Sequence, residues 1–271
     1  MPKDPRNAVL VDRVDVHPGL ATLGVRLKDG TAPAFVPGQY ATLGVADADG
    51  RLVRRAYSVA SAPDAAYARD GVLRFYVVRV EGGALTPSLF DLRAGDELFL
   101  SPRLGGHFVL HEADRARDVV MVATGTGTAP FRSMLLAEQD APGSAPGGPP
   151  AGTPRGRRAL LEGCRLAEDL GYLEELRAWA AADPGFAYLP TVTREPEGSA
   201  WDGRRGRVNA LLEPAAFEAA AGFPLDPATT SVFLCGNPQM IDQAEAELTA
   251  RGFTTRDRKH PRGNLVFERY W

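Results

Sequence analysis

The hydrophobic pattern changes period between about residues 110 and 115, and that change constrains the fold more tightly than any other feature of the chain. Before it, the sequence is cut into short runs of β-formers: Ala21 to Leu27, Tyr40 to Val45, Arg55 to Ala60, Leu73 to Val80 and Glu97 to Leu100. Asp29-Gly30, Pro37-Gly38, Asp49-Gly50, Asp70-Gly71 and Ala94-Gly95-Asp96 separate the runs and supply the bends and positive φ values of hairpins. Regular short strands of this kind predict an antiparallel β-barrel.

After the change, Asp118 to Thr124 is a continuous apolar run of the type buried on both faces of a sheet. It feeds a glycine-rich turn and a helical pattern at Phe131 to Glu138. The alternation recurs as Arg158 to Cys164 then Asp169 to Ala182, Ala187 to Thr193 then Val208 to Leu212, and Val232 to Cys235 then Pro238 to Arg251. Strand-helix repeats predict an α/β doubly wound parallel sheet. Two domains follow, 1–112 and 113–271, as 271 residues exceed one ordinary core. The Pro/Gly-rich stretch 140–157 reads as a mobile loop inserted after the first helix of the second domain.

Composition narrows the classes. Cys164 and Cys235 are too few for an iron-sulfur cluster held by about four thiolates, so no built-in ferredoxin domain is expected. A net charge of −3 argues against nucleic-acid binding. No window approaches the roughly 18 apolar residues of a membrane span, and the start lacks the apolar core of a signal peptide, so a cytoplasmic protein is expected.

Arg55-Ala56-Tyr57-Ser58 places Arg55 and Tyr57 on one strand face and Ala56 and Ser58 on the other. A guanidinium holds a pyrophosphate bidentately and a phenol covers an isoalloxazine edge, yet a surface arginine beside a half-buried tyrosine on an edge strand fits the tetrapeptide equally well. Thr124-Gly125-Thr126-Gly127-Thr128-Ala129-Pro130 joins a buried strand to a helix, where exposed amides and the helix dipole favour phosphate. Cys235-Gly236-Asn237-Pro238-Gln239-Met240 ends the last buried strand. Arg165 and Arg194 end the second and third strands of the α/β half, with Arg204, Arg205 and Arg207 following. Planar forks at parallel strand ends suit a 2′-phosphate, and with no acid at those ends to take a ribose hydroxyl, NADPH is favoured over NADH.

With Phe35-Val36-Pro37-Gly38-Gln39-Tyr40 upstream and Gly83-Ala84-Leu85-Thr86 downstream, Arg55-Ala56-Tyr57-Ser58 resembles the flavin-binding barrel of the ferredoxin-NADP reductase family. Nearly the whole chain, from about Phe35, is similar to the bacterial ferredoxin/flavodoxin-NADP reductases, with the motifs in the expected order. The resemblance implies FAD at Arg55, Ala56, Tyr57, Ser58, Tyr76, Val77, Val78, Ala84, Leu85, Thr86 and Thr126, with Tyr270 and Trp271 lying against it. It implies NADP(H) at Arg165, Arg194, Gly236, Asn237 and one of Arg204 and Arg207, the latter in the better-aligning Gly206-Arg207-Val208. Catalytic roles fall to Ser58, Cys235 and Glu268, with Ser58 hydrogen-bonding flavin N5 and Cys235 shaping the site rather than acting as a nucleophile.

The implied activity is hydride transfer from NADPH to FAD, then single-electron release to a ferredoxin or flavodoxin. A monomer is expected, with the carrier docking transiently and electrostatically, and Arg51, Arg54 and Arg103 are its candidate contacts. The alternatives are an NADH-linked reductase for another acceptor and a non-catalytic flavoprotein subunit. Two departures from the family stand out. Loop 140–157 is long, and Glu162 stands where a histidine is common; a carboxylate there would weaken phosphate binding if it faced the ligand.

Overall fold

The computed structural model describes residues 5–47, 49–139 and 155–270. These form two compact units. One comprises residues up to Val109 and a helical segment from Ala129 onward; the other comprises Leu110–Thr128 and the chain from residue 155. Of the loop expected at 140–157, residues 140–154 lie outside the described residues.

The first unit is a six-stranded sheet of β1 (Ala8–His17), β2 (Leu20–Leu27), β3 (Tyr40–Ala46), β4 (Leu52–Ser58), β5 (Leu73–Val78) and β6 (Glu97–Leu100), in the order β4-β3-β6-β1-β2-β5. Every pairing is antiparallel. One face buries Leu10, Leu23, Val25, Leu43, Phe75 and Leu98 in a common core, where each such side chain contributes about 1.5–3 kcal/mol. The two edge strands are tied beyond the end of β4 by a bridge between Val59 and Phe75 and by the Ala60 amide donating to Arg74 O at 2.7 Å. That tie curls the sheet toward the predicted barrel.

Several local readings change. β1 was absent from the predicted runs, because two register irregularities and the charged Asp12, Arg13 and Asp15 break its alternation. Asp70-Gly71 is no hairpin turn. Gly71, with φ of 65°, caps helix α1 (Ala65–Asp70), whose other end is capped by Asp64 accepting from the Tyr67 amide. A second short helix, α2 (Thr86–Asp91), starts inside the Gly83-to-Thr86 motif.

The second unit opens with α3 (Glu112–Arg115) and continues as β7 (Asp118–Thr124), α4 (Thr128–Gln139), β8 (Arg158–Cys164), α5 (Leu173–Ala182), β9 (Phe186–Val192), β10 (Arg204–Arg205), α6 (Pro214–Ala221), β11 (Thr230–Gly236), α7 (Pro238–Ala250) and β12 (Leu265–Arg269). From Ala129 on, α4 clusters with the first unit, where Arg132 and Ser133 donate to the carbonyls of Ala60 and Ser61. The strands form one sheet in the order β10-β9-β8-β7-β11-β12, parallel throughout. β7 is buried at every residue but Thr124, as its continuous apolar run required, and β8 and β11 are buried at every residue. Val208–Leu212 forms a short 3-10 turn instead of the predicted helix, with α6 directly after it.

The amino ends of the strands are locked. Asp114 accepts both guanidinium nitrogens of Arg256, at 2.9 and 2.6 Å, and the Ser231 hydroxyl, while Asp118 accepts Arg157. The strand order reverses between β7 and β11, so the carboxyl ends of these two strands flank the crevice where such sheets bind ligands.

Candidate functional site

In the first unit, Arg55 and Ala56 are exposed and Tyr57 is half-buried, packed on the core. Burial pushes the Tyr57 phenol up to about 12, against the opposing charge of Arg55. The Val59–Phe75 bridge joins the residue after β4 to β5, next to Ser58 on one side and Tyr76 on the other, and no further ladder pair joins these edges among the described residues. Two expected flavin segments thereby meet at this bridge.

The Gly83-to-Thr86 turn is built around Val80. Its carbonyl accepts the Gly83 amide at 3.0 Å, and its amide donates to Thr86 Oγ1 at 2.9 Å. The Thr86 hydroxyl thus shapes the turn, and the helix that follows has no side-chain cap. The amides of Ala84, Leu85 and Thr86 donate to no group among the described residues, and such donors suit a pyrophosphate.

In the second unit, the turns after β7 and β11 interlock at the reversal point. The Asn237 amide donates to Thr124 Oγ1 at 2.8 Å, and the Tyr270 amide donates to Gly236 O at 3.0 Å. Gly236 has φ of 126°, and a Cβ there would meet the Thr124 carbonyl oxygen at 2.7 Å; one on Gly127 would strike the Cys235 carbonyl. Only glycine permits this approach. Asn237 also caps α7 by accepting from the Gln239 amide.

Cys235 is fully buried, opposite Glu268 on β12 and hydrogen-bonded by the Tyr270 side chain. Burial first, and the Glu268 charge second, push its thiol well above the ordinary value, so it is held protonated and unfit as a nucleophile. Thr126 is also buried.

Past the ends of β8 and β9 the backbones stay paired, the Arg194 amide donating to Arg165 O at 2.8 Å. The guanidinium groups of Arg165, Arg194, Arg204 and Arg207 are exposed and make no hydrogen bond or ion pair among the described residues. Arg205 differs, donating to the carbonyls of Glu195 and Pro196. An acid does stand at this edge, since Glu195 follows Arg194. Its carboxylate is committed to the Ala167 amide at 2.7 Å, and that bond holds it below the usual range.

Residues 7–108 match the model of the oxidoreductase FAD-binding domain, and residues 121–246 that of the oxidoreductase NAD-binding domain. A flavodoxin/ferredoxin-NADP reductase of Escherichia coli is 32% identical over 88% of this chain and 88% of its own. A ferredoxin-NADP reductase B of Sorangium cellulosum is 37% identical over 95% of this chain and 96% of its own. The chain belongs to the ferredoxin/flavodoxin-NADP reductase family. A ferredoxin NADP+ reductase from Neisseria gonorrhoeae, solved with bound FAD and NADP, shares the fold with a TM-score of 0.79 at 24% identity, covering 99% of this chain and 100% of that one.

Within that family plan, Glu162 is resolved. It is fully buried and faces inward, accepting from Thr128 Oγ1 at 2.6 Å and from the Tyr188 hydroxyl at 2.5 Å. Burial pushes its carboxyl up, against those two bonds, and it ties β8 and β9 to the first residue of α4. Sequence reasoning missed Thr128 and Tyr188 as its partners, and missed Thr124 as the residue that receives Asn237. No local motif links them; they meet because β7 lies between β8 and β11 and its following turn starts α4. Trp271 lies outside the described residues.

Proposed function

We propose that the protein transfers electrons between NADPH and a ferredoxin or flavodoxin, with FAD as its resident cofactor. The observation that carries this reading is the set of exposed guanidinium groups at Arg165, Arg194, Arg204 and Arg207 on the carboxyl edge of the parallel sheet, without hydrogen bond or ion pair among the described residues. Glu195, the acid next to Arg194, is already bound to a backbone amide. Such a cluster of planar forks at parallel strand ends suits a 2′-phosphate.

The residues of the first unit fit FAD, with an exposed Arg55 beside a half-buried Tyr57 and open amides at Ala84, Leu85 and Thr86. FAD, when bound, supplies a hydride acceptor at N5 and passes electrons on singly. Arg55 and the three amides would hold its pyrophosphate, Tyr57, Tyr270 and Trp271 would lie against its rings, and Tyr76, Val77 and Val78 would contact it from β5. Ser58 would hydrogen-bond N5. Thr126, Cys235, Gly236, Asn237 and Glu268 shape the nicotinamide site, with Cys235 filling space and excluding water. Residues 1–112 are the FAD domain and 113–271 the NADP(H) domain.

Carrier binding is transient and electrostatic, with Arg51, Arg54 and Arg103 as contacts; all three are exposed, and Arg54 lies 5.6 Å over the Phe99 ring. No helix among the described residues is long and apolar enough to cross a membrane, and the protein works as a cytoplasmic monomer. Steady-state kcat/KM with each nicotinamide, using ferredoxin as acceptor, tests the reading. NADPH exceeds NADH by at least tenfold on this account, and equal use of the two would reject it.

A further inference from the structure

The segment between Glu195 and Gly206 carries a tryptophan that neither the flavin motifs nor the phosphate arginines explain. We infer that Trp201 is a positioning residue for 2′-phosphate selectivity, its indole fixing the backbone from which Arg204 and Arg207 project. The inference rests on the proposed NADP(H) role of those arginines.

The half-buried indole packs on Cys164, Leu170 and Val192, at and just past the carboxyl ends of β8 and β9. Its Nε1–H donates to Arg204 O at 3.0 Å. Gly203 passes flat over the ring, since a Cβ there would lie 2.7 Å from Cε2 and 2.9 Å from Cη2. Arg177 of α5 sits 5.6 Å from the ring centroid and 3.9 Å from Asp202, which sets the indole between a helix and the turn.

The rest of the segment is stapled independently. Arg205 reaches back to the Glu195 and Pro196 carbonyls, the Gly206 amide donates to Val192 O at 2.8 Å, and Thr191 Oγ1 donates to Gly206 O at 2.9 Å. Arg205 is thus spent inward, and Arg204 and Arg207 on either side of it stay exposed on a fixed frame. A bidentate fork discriminates a phosphate from a hydroxyl only while its geometry is held. With the indole removed, the arginines keep their charge and lose their placement. Affinity for the phosphate then falls while affinity for the shared adenylate does not.

Calorimetric titration of the FAD-loaded full chain with 2′-phospho-AMP and with AMP tests this. Trp201→Ala and Gly203→Ala weaken 2′-phospho-AMP by about tenfold, as the loss of one charge-assisted contact does, and change AMP by less than about twofold. Trp201→Phe keeps the packing without the N–H and falls between wild type and Trp201→Ala. The NADPH to NADH ratio of kcat/KM drops in parallel, through KM for NADPH. Equal weakening of both ligands would overturn the inference, because the indole would then contact the adenylate itself; wild-type affinity for both would overturn it too. Arg204→Ala/Arg207→Ala separates the two levels. If that double variant binds 2′-phospho-AMP as wild type does, the phosphate reading falls and the inference with it; if it alone loses affinity, only the inference falls.

Discussion

At the scale of single residues, the strongest constraints are charges without internal partners and a carboxyl without solvent. Arg165 and Arg194 are adjacent through their backbones, and their guanidinium groups make no hydrogen bond among the described residues. Replacing either by alanine should cost about 1–3 kcal/mol in kcat/KM for NADPH and far less for NADH, measured in steady state. Glu162 makes the opposite kind of prediction. Its carboxyl is raised above 4.5 by burial, so the folded protein binds that proton more tightly than the unfolded chain does. The stability this confers is complete below about 4.5 and is lost as pH rises through the raised value, each tenfold change in proton affinity being worth about 1.4 kcal/mol. Glu162→Gln removes the titration, so the melting temperature of the variant should gain on wild type as pH rises from about 4.5; a difference independent of pH would contradict the assignment. The tetrapeptide Arg55 to Ser58 was legible as a strand with two faces because periodicity is local. The partners of Glu162 were not, because Thr128 starts the helix after β7 and Tyr188 lies on the neighbouring strand β9, and only the folded chain brings both to it.

At the scale of elements, the turns after β7 and β11 act as one unit. Gly236 combines φ of 126° with a backbone oxygen of Thr124 where a side chain would go, and the next amide is bonded to Thr124 Oγ1. Gly236→Ala should lose about 2–4 kcal/mol of unfolding free energy in urea, from strain and overpacking together, along with nicotinamide binding. A loss below about 1 kcal/mol would mean that the turns move apart freely. The buried strand β7 was legible as an apolar run because burial on both faces leaves it almost wholly apolar after Asp118, while β8 and β11 were legible from their apolar centres despite the buried Arg158, Glu162, Thr230 and Ser231. β1 and α1 were not. The outer half of β1 is half-buried or exposed and bulged, and the Asp70-Gly71 pair that suggested a hairpin serves equally well to end a helix.

At the scale of the whole molecule, the change of period near residue 112 foretold an antiparallel sheet followed by a parallel one, and both are present. What remained illegible was the allegiance of α4, which follows β7 in sequence but from Ala129 clusters with the first unit. Neutralising Arg51, Arg54 and Arg103 together should raise the apparent KM for an acidic carrier in low salt and lose that effect at about 1 M salt, where screening is nearly complete. Carrier kinetics unchanged at low salt would remove this face from consideration. The central claim is electron transfer from NADPH through FAD to a one-electron carrier, and anaerobic stopped-flow spectroscopy of the FAD-loaded protein tests it most directly. NADPH should bleach the oxidised flavin absorbance, and subsequent ferredoxin or flavodoxin should restore it as the carrier is reduced; a flavin left oxidised by NADPH, or reduced but unable to pass electrons to either carrier, would contradict the account.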